Sequence, residues 1–167
     1  MILGCGMKKI FAALIFAMLP VFAVAEADHQ ETYECLENIE TSTTWGQCLG
    51  QIFGSCDGMN VGSEEHVACL SGIYDGWFDA LEGDVVKTSD ALPPQGKEEL
   101  ANILPAWNAF TTEKCEEIGA QKAQTAGMSA QLGCQISETV LLANELRNCR
   151  LGRSSELYCV GVSVQSE

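Results

Sequence analysis

Residues 97–149 read KEELANILPAWNAFTTEKCEEIGAQKAQTAGMSAQLGCQISETVLLANELRNC, and this stretch decides the fold. Leu100, Ile103, Leu104, Trp107 and Phe110 recur at spacings of three and four, which places them on one side of a helix. A second periodic run, Ile136, Val140, Ala143 and Leu146 with Thr139 beside them, predicts another helix over about 132–150. Between the two, 119–133 is rich in Gly, Ala and Gln and reads as a flexible loop, although its alanines and glutamines could carry some helix. Cys115 and Cys134 face that loop from either side, so the stretch reads as a helical hairpin with a cysteine on each arm. Pro105 falls inside the first arm, where its missing N–H and the clash one turn back predict a kink or break around 101–104.

Working outward, the chain before this hairpin carries three further helical patterns. Tyr33, Leu36 and Ile39 mark a short helix over about 28–40, with Asp28 as its N-cap. The turn Thr41-Ser42-Thr43-Thr44 leads into a second helix over about 44–56 that presents Trp45, Leu49, Ile52 and Phe53. After the loop 57–62, Ser63 caps a third helix whose face is Val67, Leu70, Tyr74, Trp77, Leu81 and Val85. Asp79, Glu82 and Asp84 lie in its C-terminal half, where the helix dipole disfavours acids, and so are expected in solvent. Pro93-Pro94-Gln95-Gly96 turns the chain into the hairpin, and Gly152-Arg153-Ser154-Ser155 turns it out again. Tyr158 to Val164 gives a weak period-2 run. The expected fold is all-α, a small disulfide-stapled bundle of about five helices forming one domain over 26–160, with 161–167 a loose tail.

The first 25 residues have the three parts of a secretory signal. Met7-Lys8-Lys9 is a positive start, Ile10 to Phe22 an apolar run broken by Pro20, and Ala23-Val24-Ala25 a small-x-small cleavage site. Met7 alone begins a complete signal and is a second candidate start. Cleavage after about Ala25 would send the chain to the periplasm or the exterior, and neither a lipid anchor nor a membrane span is expected. It would also take Lys8 and Lys9 away, moving the formal charge from −14 to −16. A field of that sign repels nucleic acid and anionic membranes and draws in cationic partners.

Loss of Cys5 with the signal leaves eight cysteines, an even number in an exported chain, which implies disulfides. No C-x-x-C pair exists and only His29 and His66 could assist, so neither metal nor other cofactor is expected. A disulfide across a helical hairpin joins residues equidistant from its turn. Cys35 and Cys48 flank the Thr/Ser turn, Cys56 and Cys69 the Gly62-Ser63 turn, Cys115 and Cys134 the Gly/Ala/Gln loop, and Cys149 and Cys159 the Gly152 turn. Nearest-neighbour pairing satisfies all four, while a crossed arrangement joining different hairpins stays open.

Trp107, Phe110 three later, Cys115 eight later, a glycine-bearing loop, then Cys134 with Thr139 five later resembles the LprI-like lysozyme inhibitor family of small exported, helical, disulfide-bonded proteins. Trp77 and Leu81 match that family's preceding tryptophan helix, and the likeness spans roughly Cys69 to Cys149. At positions where the family is commonly polar, this chain has Leu104, Thr111, Thr112 and Leu142. The resemblance implies a scaffold built on Trp77, Leu81, Trp107, Phe110 and Thr139, and an exported binding protein of the lysozyme-inhibitor kind. The alternative is a structural or envelope-stress module with another exported partner.

Charge complementarity makes Glu113, Glu116 and Glu117 the candidate partner-binding residues, with Asp79, Glu82 and Asp84 as further acids, facing a cationic protein such as lysozyme. An enzyme is not expected. His29 and His66 have no evident nucleophile beside them, the cysteines are oxidised, and the acidic pairs Glu64-Glu65, Glu98-Glu99 and Glu116-Glu117 diverge on a helix.

Overall fold

The computed structural model of the chain describes residues 25–37, 42–154 and 159. Five helices follow in order: α1 (Ala25–Glu37), α2 (Ser42–Phe53), α3 (Glu64–Ala91), α4 (Pro94–Ala120) and α5 (Gln124–Arg150), with a 3-10 turn at Gly54–Cys56. No strand occurs among the described residues. The all-α, disulfide-stapled bundle expected from the sequence is the observed fold. Residues 1–24 of the expected signal segment, the side chain of Trp45, the Tyr158 to Val164 run apart from Cys159, and the 161–167 tail lie outside what is described.

The last helix is the centre of the bundle. α5 packs along both α3 and α4, which themselves touch little. His66 near the start of α3 meets Ser129 near the start of α5, and Asp84 and Thr88 near the end of α3 meet Arg150 near the end of α5. These two helices therefore run parallel, and α4 returns antiparallel between them in sequence, pairing Lys114 with Glu138. At about 1.5 Å per residue each spans roughly 40 Å. Ile136, Val140, Ala143 and Leu146 of α5 are fully buried, together with Leu70, Trp77 and Leu81 of α3 and Leu100 of α4.

All four nearest-neighbour disulfides form, with Cα separations of 5.7 Å for Cys35–Cys48, 5.9 Å for Cys56–Cys69, 5.5 Å for Cys115–Cys134 and 5.2 Å for Cys149–Cys159. They staple α1 to α2, the 3-10 turn to α3, α4 to α5, and residue 159 to the end of α5. In the chain-entropy picture each closes a loop worth about 3 kcal/mol. Ser63 caps α3 as its type and position predict, its side chain accepting from the His66 backbone N–H at 3.1 Å.

Three expectations are corrected. The 119–133 loop shrinks to 121–123, because α5 begins at Gln124. Its Ala and Gln residues are good helix formers, and Gly127 is needed for closeness: a Cβ there would lie 2.6 Å from the Gly119 carbonyl oxygen. α4 also runs through Pro105 as one helix. The ring points to solvent, and Ala101, whose carbonyl loses its partner, lies on the same exposed side where water can reach it. Finally, the inward face of α4 is rotated from the one read in sequence. Phe110 is 60% exposed and Ile103 is exposed as well, whereas Thr111 and Cys115 are buried beside Leu100, with Leu104 and Trp107 half-buried. The face follows 100, 104, 107, 111 and 115, carrying the stripe through a threonine and the bridged cysteine.

Candidate functional site: an acidic surface and a polar cavity

The acids predicted to face solvent divide into two kinds. Asp79 and Glu82 are exposed on α3, in line with exposed Asp75, and Glu113, Glu116 and Glu117 are exposed on the last turns of α4. The structure does not bring the two sets into one contact. Asp84, expected beside them in water, is only 6% exposed. It sits on the stripe 77, 81, 84, 88 that α3 turns towards α5, and there it meets a base. Arg150 Nη2 donates to Asp84 Oδ1 at 2.7 Å, and Nη1 reaches the Asp84 carbonyl at 3.3 Å and Thr88 Oγ1 at 3.1 Å. Thr88 in turn donates to the Leu146 carbonyl at 3.2 Å.

This ion pair also anchors α1. Tyr33 donates its hydroxyl to Asp84 Oδ2 at 2.6 Å, with its ring edge-on to Trp77 and under the Arg147 guanidinium. Burial first, then the bond to Asp84 and that residue's charge, hold the phenol well above the usual tyrosine range, against the opposing pull of Arg147 and Arg150. The network joins α1, α3 and α5 and uses its charges on itself, so Asp84 is withdrawn from any partner surface.

Of the scaffold set, Trp77 and Leu81 are buried, Thr139 is 1% exposed, and Trp107 packs half-buried against the core. Only Phe110 stands outside. Leu142 and Leu104 give apolar contact, and Thr111 is buried with its hydroxyl lacking a hydrogen-bond partner.

A cavity of about 200 Å³ opens between the 3-10 turn and the first halves of α3 and α5, lined by Phe53, Cys56, Asp57, His66, Leu70, Ser129 and Gly133. Here His66 Nδ1 and Ser129 Oγ are 3.0 Å apart, with Ser129 only 5% exposed. In sequence His66 has no evident nucleophile beside it, because Ser129 falls within the Gly/Ala/Gln segment 119–133. The signal that could have found the pair is helical continuity from Gln124, together with parallel packing of α3 and α5, which matches position 66 to 129 as it matches 88 to 146. Gly62 makes this end close: its φ is +83°, and a Cβ would come within 2.9 Å of the Ala126 backbone nitrogen. No group of three or more His, Cys, Asp or Glu among the described residues could hold a metal. No helix among them is long and apolar enough to cross a membrane.

Comparison of the chain with models of known families, with curated proteins and with solved structures finds no match in any of the three.

Proposed function

We propose that the chain is an exported, non-catalytic binding protein of the lysozyme-inhibitor kind, capturing a cationic protein partner on its acidic surface. The observation that supports this most directly is the exposure of Glu113, Glu116 and Glu117 together at the end of α4, on a chain of net charge −14 held rigid by four disulfides. Opposite charge raises the encounter rate with a basic protein, and a stapled scaffold gives up little conformational freedom on binding. The spacing from Trp107 to Thr139 adds the resemblance that names lysozyme as the candidate. Disulfides of this density belong to an oxidising compartment, which is where such a partner would be met.

The test is to add the oxidised mature chain in excess to lysozyme clearing a peptidoglycan suspension, at low and at physiological salt. Slowed clearing, stronger at low salt, is the expected result. Unchanged clearing at both salts would end the lysozyme reading and leave a different exported partner.

A further inference from the structure

The cavity beside Ser129 has two chemically distinct parts. Phe53, Leu70 and the bridged Cys56 make apolar walls, while Asp57, His66 and Ser129 supply the polar groups. Ser129 Oγ and His66 Nδ1 share one hydrogen bond whose direction the imidazole tautomer sets; in either direction the hydroxyl oxygen keeps a lone pair, and the exposed Asp57 carboxylate accepts only. Acceptors joined to apolar wall match an amphipathic cation, one with a greasy stem and a head made only of donors. Exposed Glu64 and Glu65, immediately before His66, place further negative charge beside that end of α3.

We propose that this cavity seats a basic side chain of the partner, arginine before lysine, the stem lying on Phe53 and Leu70 and the guanidinium donating to Asp57 and Ser129. Arginine is preferred because its planar fork offers five donors to acceptors held on separate elements, where an ammonium offers three from one point. This inference rests on the cationic-partner reading above and gives it a specific anchor: the acidic surface attracts, and the cavity selects.

Gly133 supplies a clean test. Gly133 lines the cavity and a Cβ there would meet nothing within 4 Å, so Gly133→Leu adds bulk at the cavity wall with no clash at its Cβ, and a helix interior favours leucine over glycine. The full oxidised chain is titrated with N-acetyl-arginine amide, and in parallel with the neutral, near-isosteric N-acetyl-citrulline amide, while amide NMR shifts are followed. Saturable shifts at Asp57, His66 and Gly133 with the arginine probe, lost in Gly133→Leu and at least about ten-fold weaker in Asp57→Asn, are expected, with half-saturation in the millimolar range for so small a ligand. No saturable shift at these residues, or an equal response to citrulline, would overturn the proposal. The two readings fail separately. Arginine binding without lysozyme binding would sustain the cavity and remove the partner, whereas lysozyme inhibited equally by wild type and Gly133→Leu would sustain the partner and remove the cavity.

Discussion

Replacing Asp84 by leucine should be among the most damaging single changes available in this chain. The variant leaves the Arg150 guanidinium buried opposite α3 without an anion, and deprives the Tyr33 hydroxyl of its acceptor. Stranding one member of a buried ion pair costs about 3–5 kcal/mol. An unsatisfied buried phenol adds about 1–3 kcal/mol, partly shared because both lose the same carboxylate. A total near 4–6 kcal/mol follows, a large part of the stability of an ordinary domain. Urea unfolding at neutral pH followed by far-UV circular dichroism measures it, with Asp79→Leu as a surface control expected within about 0.5 kcal/mol of wild type. The triple variant Tyr33→Phe, Asp84→Leu, Arg150→Met should recover most of the loss, since no polar partner is then stranded. A loss below about 1 kcal/mol for Asp84→Leu alone would mean that water reaches Arg150 and that the pair with Asp84 is solvated, not buried.

Three further outcomes follow from the same structure. Gly127→Ala should cost about 1–3 kcal/mol in thermal denaturation, because its Cβ would press on the Gly119 carbonyl, whereas Gly133→Ala, in open space, should be neutral or stabilising. Tyr33 holds its proton more tightly folded than unfolded, so its contribution is complete below about pH 10 and is lost as pH rises through the folded value; wild type should lose about 1.4 kcal/mol more per pH unit above about pH 10 than Tyr33→Phe, and parallel alkaline slopes would contradict this. Replacing Cys115 and Cys134 together by serine should lower stability by about 3 kcal/mol, and a thermal midpoint unmoved by reductant in wild type would show that the cysteines are not bridged.

The parts of the fold legible in the sequence were those set by short-range periodicity. The stripe Leu70, Trp77, Leu81 and the run Ile136, Val140, Ala143, Leu146 placed the core-facing sides of α3 and α5, and turn-centred spacing gave all four disulfides. What escaped depends on which helix lies opposite. Asp84 continues the buried stripe of α3, but only the Arg150 guanidinium across the interface makes a carboxylate tolerable there, and sequence periodicity carries no partner. Phe110 was assigned inward for its apolarity, while Thr111 and Cys115 take the inward positions, because the disulfide to Cys134 fixes how α4 is rotated about its axis. The candidate site divides in the same way. Glu113, Glu116 and Glu117 were readable as exposed acids, whereas the His66–Ser129 cavity required knowing that α5 begins at Gln124, ahead of its apolar run, and lies parallel to α3.

For the proposed capture of a cationic exported protein by this acidic, stapled scaffold, the decisive measurement is the association rate of the oxidised mature chain with lysozyme at about 20 mM and about 150 mM salt, for wild type and for the triple reversal Glu113→Lys, Glu116→Lys, Glu117→Lys. Saturable binding is expected, with an on-rate that falls about ten-fold or more between the two salts and collapses in the reversal variant at low salt. Absence of saturable binding at either salt, or binding that the triple reversal leaves unchanged, would contradict it.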